Sequence, residues 1–139
     1  MRMRILPLLM LPTAMLVAGC TQTQAEVERA QVREAGVQEQ LAKALAGLVP
    51  GKPETCMNQF PQKQSSGFGA TILYRVSSKL VYRSDTAGGC EGIARGDILV
   101  TRTPSGQLCR GDIAQTIDQS SRFPTGSCSF GDFVPYRKP

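Results

Sequence analysis

Ala70-Thr71-Ile72-Leu73-Tyr74-Arg75-Val76, then Ser77-Ser78-Lys79, then Leu80-Val81-Tyr82-Arg83: the reading of this stretch decides between a helical body and a β body. Ala70, Ile72, Tyr74 and Val76 alternate with Thr71, Leu73 and Arg75. After the polar triplet, Leu80 and Tyr82 alternate with Val81 and Arg83. A period of two is that of a strand, so the stretch is read as a β-hairpin. A three-residue loop at 77–79 pairs Tyr74 with Tyr82 and Val76 with Leu80 on one face. A two-residue loop sets Tyr74 against Val81 and mixes the faces, which one buried side forbids. Arg75 and Arg83 then share the opposite face as the candidate binding surface, the alternative being an ordinary solvated sheet face.

Outward from the hairpin the β signal continues. Strands are expected at 55–59, 98–103, 107–109, 113–117 and 127–134. Pro104-Ser105-Gly106 is a turn joining the second and third of these, and residues 85–89 form an irregular loop before Cys90. About seven short strands make a mainly β (α+β) fold, a small antiparallel barrel or sandwich. Upstream, 25–47 is rich in Glu, Gln, Ala, Leu, Arg and Lys and holds no proline, a helix-forming mixture. Val37, Leu41, Leu45 and Leu48 make an apolar stripe on its second half, and Glu39 with Lys43 makes an i,i+4 pair. Glu26, Glu28, Arg29, Arg33 and Glu34 leave the first half little to bury. Gly47, Pro50 and Gly51 stop the helix. The chain therefore divides into a leader (1–19), a tether with the exposed helix start (20–36) and a β body with a docked helix (37–139).

The leader has Arg2 and Arg4 before an apolar run at 5–17, which is too short to span a bilayer and contains Pro7 and Pro12. Its end, Leu16-Val17-Ala18-Gly19-Cys20, resembles the bacterial lipoprotein signal. That resemblance implies cleavage before Cys20, acylation (palmitate) of its thiol and new amino end, and, with Thr21 in place of Asp, anchoring in the outer membrane facing the periplasm. Two of the 16 basic side chains lie in the leader, so the rest of the chain carries 14 against 11 acidic ones. These charges are scattered without a basic run or interleaved aromatics, which argues against nucleic acid as a partner.

Beyond Cys20, four cysteines remain: Cys56, Cys90, Cys109 and Cys128. An even count in a small exported chain reads as two disulfides. Their spacing offers neither the C-x₂-C pairs of a zinc site nor a redox C-x-x-C, and the chain has no histidine. Three connectivities are open, and the preferred one joins Cys56 to Cys128 and Cys90 to Cys109. The first bond would tie the first strand to the last. The second would pin the long loop to the end of a 98–109 hairpin.

Arg95-Gly96-Asp97-Ile98 and Arg110-Gly111-Asp112-Ile113 are the same tetrapeptide, echoed by Gly131-Asp132-Phe133. Arg-Gly-Asp is also a cell-adhesion tripeptide, but the neighbours here look like strand starts. The structural reading is that glycine takes a conformation other residues resist while the aspartate accepts local N–H groups. The alternative gathers Asp97, Asp112 and Asp132 into a carboxylate cluster for a metal or for acid–base work, and nothing in the linear order brings them together.

Several of these segments together resemble a family of small exported bacterial proteins catalogued as a domain of unknown function. They are Cys56 after Gly51-Lys52-Pro53, the Leu-Tyr-Arg-Val hairpin, Cys90 with Gly92, Cys109-Arg110-Gly111-Asp112, Gly126-Ser127-Cys128, Gly131-Asp132-Phe133 and Pro135-Tyr136. The likeness spans roughly 40–137 and implies fold and compartment, with no activity to carry over. Where that family has an asparagine near the end of the second hairpin strand, this chain has Ser84 and Asp85.

Without histidine the chain lacks the usual general base and most zinc or triad arrangements. No catalytic residue, metal or cofactor is expected. The reading is a cell-envelope lipoprotein acting as a binding or structural module, its partners the membrane through the lipid and an envelope protein or peptidoglycan. An inhibitor of a secreted enzyme is the alternative, since periplasmic lysozyme inhibitors share this size and plan, although none of their motifs is present. A histidine-free envelope hydrolase is the third.

Overall fold

The computed structural model describes residues 23–58, 64–103 and 105–139. The leader and Cys20 lie outside the described residues, as does Gln59 of the first expected strand. The fold is mainly β, with one helix and a curled antiparallel sheet that forms a half-barrel. Helix α1 is Gln24–Ala44, and the strands are β1 (Val49–Pro50), β2 (Cys56–Asn58), β3 (Gln64–Phe68), β4 (Thr71–Ser77), β5 (Leu80–Thr86), β6 (Ile98–Thr101), β7 (Gln107–Cys109), β8 (Ile113–Ile117) and β9 (Pro124–Arg137), with a 3₁₀ turn at Glu91–Arg95. The large sheet runs β3-β4-β5-β9-β8-β6, with β1 also on β9; β2 and β7 form a separate two-stranded ribbon.

β9 is the spine. Its first part pairs with β8, from Ile113↔Ser129 to Ile117↔Pro124. Its second part pairs with β5, from Thr86↔Phe130 to Leu80↔Arg137. One face of the sheet carries Ile72, Tyr74, Ala114, Cys128, Phe130 and Phe133, covered by Met57 and Leu108 of the ribbon. The opposite face carries Leu73 and Val81, on which Leu41 of α1 packs with Ala44, Leu45 and Leu48. The alternation read from the hairpin therefore feeds two separate apolar layers.

The hairpin keeps the expected Tyr74↔Tyr82 pair, but Ser77, and not Val76, faces Leu80. The turn is the two residues Ser78 and Lys79, and a bulge at Val76 takes up the extra residue. The reason is local. A three-residue loop wants a left-handed residue and the sequence supplies no glycine there, whereas the Ser77 hydroxyl accepts the Lys79 N–H at 3.1 Å and closes the tighter turn.

A second correction concerns 98–109, which does not form a hairpin. β6 pairs with β8, and β7 crosses to β2. Leu99 and Leu108 reach the same apolar cluster from two different layers, which a single hairpin would have prevented. Strand β3 was not anticipated, because Gln64-Ser65-Ser66-Gly67-Phe68 has no apolar alternation. The 127–134 strand is in fact the longer Pro124–Arg137.

Helix α1 opens on a capping box. Glu26 N–H donates to the Thr23 hydroxyl at 3.3 Å, and Thr23 N–H donates to the Glu26 carboxylate at 2.9 Å. Residues 24–35 are exposed throughout, so the docked part is the last two turns. Leu41, 3% exposed, is the anchor there. Leu41→Ala is expected to cost about 2–3 kcal/mol in denaturant unfolding, and to raise amide exchange in the helix before that in the sheet. Among the described residues no helix is long and apolar enough to cross a membrane.

Candidate functional site

Cysteine pairing follows from the ribbon. Antiparallel register sets Cys56 directly opposite Cys109, and these two form one disulfide. Cys90 leaves the loop after β5 beside β9 and joins Cys128. The preferred connectivity is thereby overturned. The signal it lacked is the β2–β7 pairing, made between segments 53 positions apart. A close approach of two backbones fixes the second bond: a Cβ on Gly126 would overlap the Gly89 carbonyl, and one on Gly89 would overlap that of Ser127. Glycine is required at both positions.

The Gly-Asp steps serve the fold. Gly96 and Gly111 take φ of 100° and 88°, and each tetrapeptide runs into a strand, β6 or β8. Asp112 accepts the Cys109 N–H at 2.8 Å. The Thr125 hydroxyl donates to Asp97 at 2.5 Å and lies 2.9 Å from that of Thr116, linking the start of β6 to β9. Asp132 pairs with Arg110 at 3.3 Å. The third step differs: Gly131 is extended, and a Cβ there would overlap the Asp85 carbonyl. Asp97, Asp112 and Asp132 thus have separate local partners. Asp118 is used the same way: N–H groups of Ser121 and Ser120 and the Ser121 hydroxyl hold its carboxyl below the ordinary range. Among the described residues no group of three or more His, Cys, Asp or Glu could hold a metal ion.

Arg75 and Arg83 do lie on the face opposite Tyr74 and Tyr82, at the margin of the layer covered by α1. Their fates differ. The half-buried Arg83 forms a two-pronged pair with Asp85, each contact 3.0 Å, and the Thr71 hydroxyl donates to the same carboxylate at 2.6 Å. Burial works against the charged guanidinium, but hydrogen bonding and charge from Asp85, with a further contact to Tyr136, outweigh it and leave the group above its usual value. Arg83 is therefore committed internally.

Arg75 is exposed at the end of β4, where further cations gather. Lys79 lies in the turn, Arg137 faces Leu80, and Lys138 donates its N–H to the Lys79 carbonyl at 3.2 Å. Lys52 follows Gly51, which sits against the Arg137 guanidinium. All five are exposed, and among the described residues none is in an ion pair. Like charges gathered at one end of the sheet disfavour one another through water, a cost that an anion from outside relieves. Sequence reading found Arg75 and missed the other four, since they come from three separate segments.

The phenols of Tyr82 and Tyr74 occupy different settings. The Tyr82 hydroxyl donates to Glu54 at 3.4 Å, and burial and that carboxylate raise its pKa. The Tyr74 hydroxyl is buried without a hydrogen-bond partner, and burial pushes it far above the phenol range. A raised pKa favours the neutral form in the fold. This contribution is intact below the unfolded value of about 10 and is lost as the pH climbs above it. The Tyr74 phenolate is expected to appear in an alkaline spectrophotometric titration only as the body unfolds. Tyr74→Phe should remove that step and leave stability unchanged or raised by about 1 kcal/mol, because no hydrogen bond is lost.

Comparison with protein-family models, with curated proteins and with solved structures found no match.

Proposed function

We propose that this protein is a cell-envelope lipoprotein, held through acyl chains on Cys20 in the outer membrane and facing the periplasm. Its β body is a non-enzymatic binding module whose basic tip (Arg75, Lys79, Arg137, Lys138 and Lys52) rests against an anionic envelope component. The observation that carries the reading is the closure of Cys56, Cys90, Cys109 and Cys128 into two disulfides. Such bonds persist in an oxidising compartment. They also leave over, from the five cysteines, only Cys20 at the end of the apolar leader.

Two further features support it. The exposed turns of α1 begin just past Cys20 and give a spacer of about 20 Å between lipid and body, at 1.5 Å per residue. The carboxylates that could have served chemistry are spent on turns, strand starts and the Arg83 pair.

Intact-mass measurement of the protein from its native membrane is expected to give a chain starting at an acylated Cys20; an unmodified Cys20 overturns the anchor. Retention of envelope anions by the 21–139 fragment should weaken as salt rises and drop about tenfold in Arg75→Glu/Arg137→Glu. Salt-independent capture of a lysozyme would replace this reading with enzyme inhibition.

A further inference from the structure

The two disulfides are held in different ways. Cys90 and Cys128 are 3% and 4% exposed and belong to the central apolar cluster. An incoming thiol has no path to them without opening the body. Cys56 and Cys109 are only half-buried, and they join two strands of three residues each. Past the bond, the ribbon is tied to the spine through Glu54, whose N–H and carbonyl each pair with Phe133 at 2.8 Å. The adjacent Thr55 carbonyl accepts the Arg110 N–H at 2.8 Å. Arg110, next to Cys109 in the chain, is paired with Asp132 at 3.3 Å and has a side chain 59% exposed, so solvent reaches this end of the ribbon.

We propose that the Cys56–Cys109 bond is a thiol-exchange site, opened and reclosed by a dithiol protein of the thiol–disulfide oxidoreductase class, while Cys90–Cys128 stays closed. One thiolate of the dithiol attacks a sulfur of the pair, forms a mixed disulfide and expels the other cysteine as a thiolate, which takes up a proton. The second thiolate of the dithiol then attacks the mixed disulfide. It departs as the oxidised partner and frees the remaining cysteine, which is protonated in turn. Two electrons and two protons pass from the dithiol to Cys56 and Cys109, and the reverse sequence restores the bond.

The exchange has a structural consequence. Met57 and Leu108, 2% and 0% exposed, are the ribbon's contribution to the cluster of Tyr74, Phe130 and Phe133. With the bond open, the six-residue ribbon is held by the burial of those two side chains and by a few backbone hydrogen bonds. Its lifting admits water to the unpartnered Tyr74 hydroxyl and uncovers apolar surface. The proposal stands on the disulfides and their exposure alone, so it fails or survives independently of the lipid anchor.

The test uses the wild-type protein purified without reductant. It is exposed to graded dithiothreitol, quenched with an alkylating agent and mapped by peptide mass. Cys56 and Cys109 should be alkylated at least about tenfold faster than Cys90 and Cys128. At the stage where only the first pair is open, amide exchange should rise across 56–58 and 107–109 well ahead of any rise across 126–129. Cys56→Ala/Cys109→Ala, prepared without reductant, should show the same exchange pattern. Equal alkylation rates, or earlier labelling of Cys90 and Cys128, overturn the site; unchanged exchange in the opened ribbon overturns its release.

Discussion

Phe133→Ala lowers the stability of the body by about 4 kcal/mol, the expectation for an aromatic removed from a site that cannot collapse. Phe133 is 0% exposed, and its ring lies 5.7 Å from that of Phe130 and 6.4 Å from that of Tyr74. Its backbone is pinned from two sides, facing Ser84 on β5 and bridging to Glu54. Neighbours so constrained cannot move in to fill the void. Phe133→Leu, which restores most of the volume, should recover more than half of the loss. Urea unfolding followed by tyrosine fluorescence and by circular dichroism reads both variants. A loss under about 1 kcal/mol for the alanine variant would mean that the aromatic cluster is not the centre of the fold.

Cys90→Ala/Cys128→Ala has an effect of the same size through a different cause. The bond closes a loop across 38 positions, and the chain-entropy account assigns it about 4 kcal/mol. Alanine is the replacement because a serine hydroxyl at either buried site would have no assured partner. A domain of this size has a total of about 5–15 kcal/mol, so the variant sits close to unfolding, with a melting temperature about 20 °C lower. Cys56–Cys109 spans 53 positions and has a similar entropic value. The two bonds are therefore distinguished less by thermodynamics than by access, and the alkylation experiment separates those quantities.

What could be read from the sequence was what neighbouring residues decide among themselves. Tyr74 and Tyr82 face each other because strict alternation leaves no other register that keeps two apolar faces. Leu41 and Leu45 pack because the helix and its cap set them one turn apart, and Leu48 joins them from the segment just past the helix end. Gly96 and Gly111 have positive φ because the chain reverses there before a strand. What escaped reading is set by partners far along the chain. Cys56 meets Cys109 only because β7 abandons β6 for β2. Gln64–Phe68 is a strand because β4 offers it an edge, and Gly67 fits there because a Cβ would press on Ile93 of the 3₁₀ turn. The site divided in the same way. Arg75 was visible in the hairpin, but the loss of Arg83 to Asp85 and the arrival of Arg137 and Lys138 depend on how β9 lies against β5.

The placement of β9 also orders events in time. Both wings of the large sheet need Pro124–Arg137, the last strand along the described chain, and synthesis delivers residues one after another from the amino end. Cys56 and Cys109 can meet while that segment is still to come, whereas Cys90 must wait for Cys128. Until then β5 and β8 present bare edges to their surroundings, so a cell making this protein has to shield a half-built sheet until its last strand arrives.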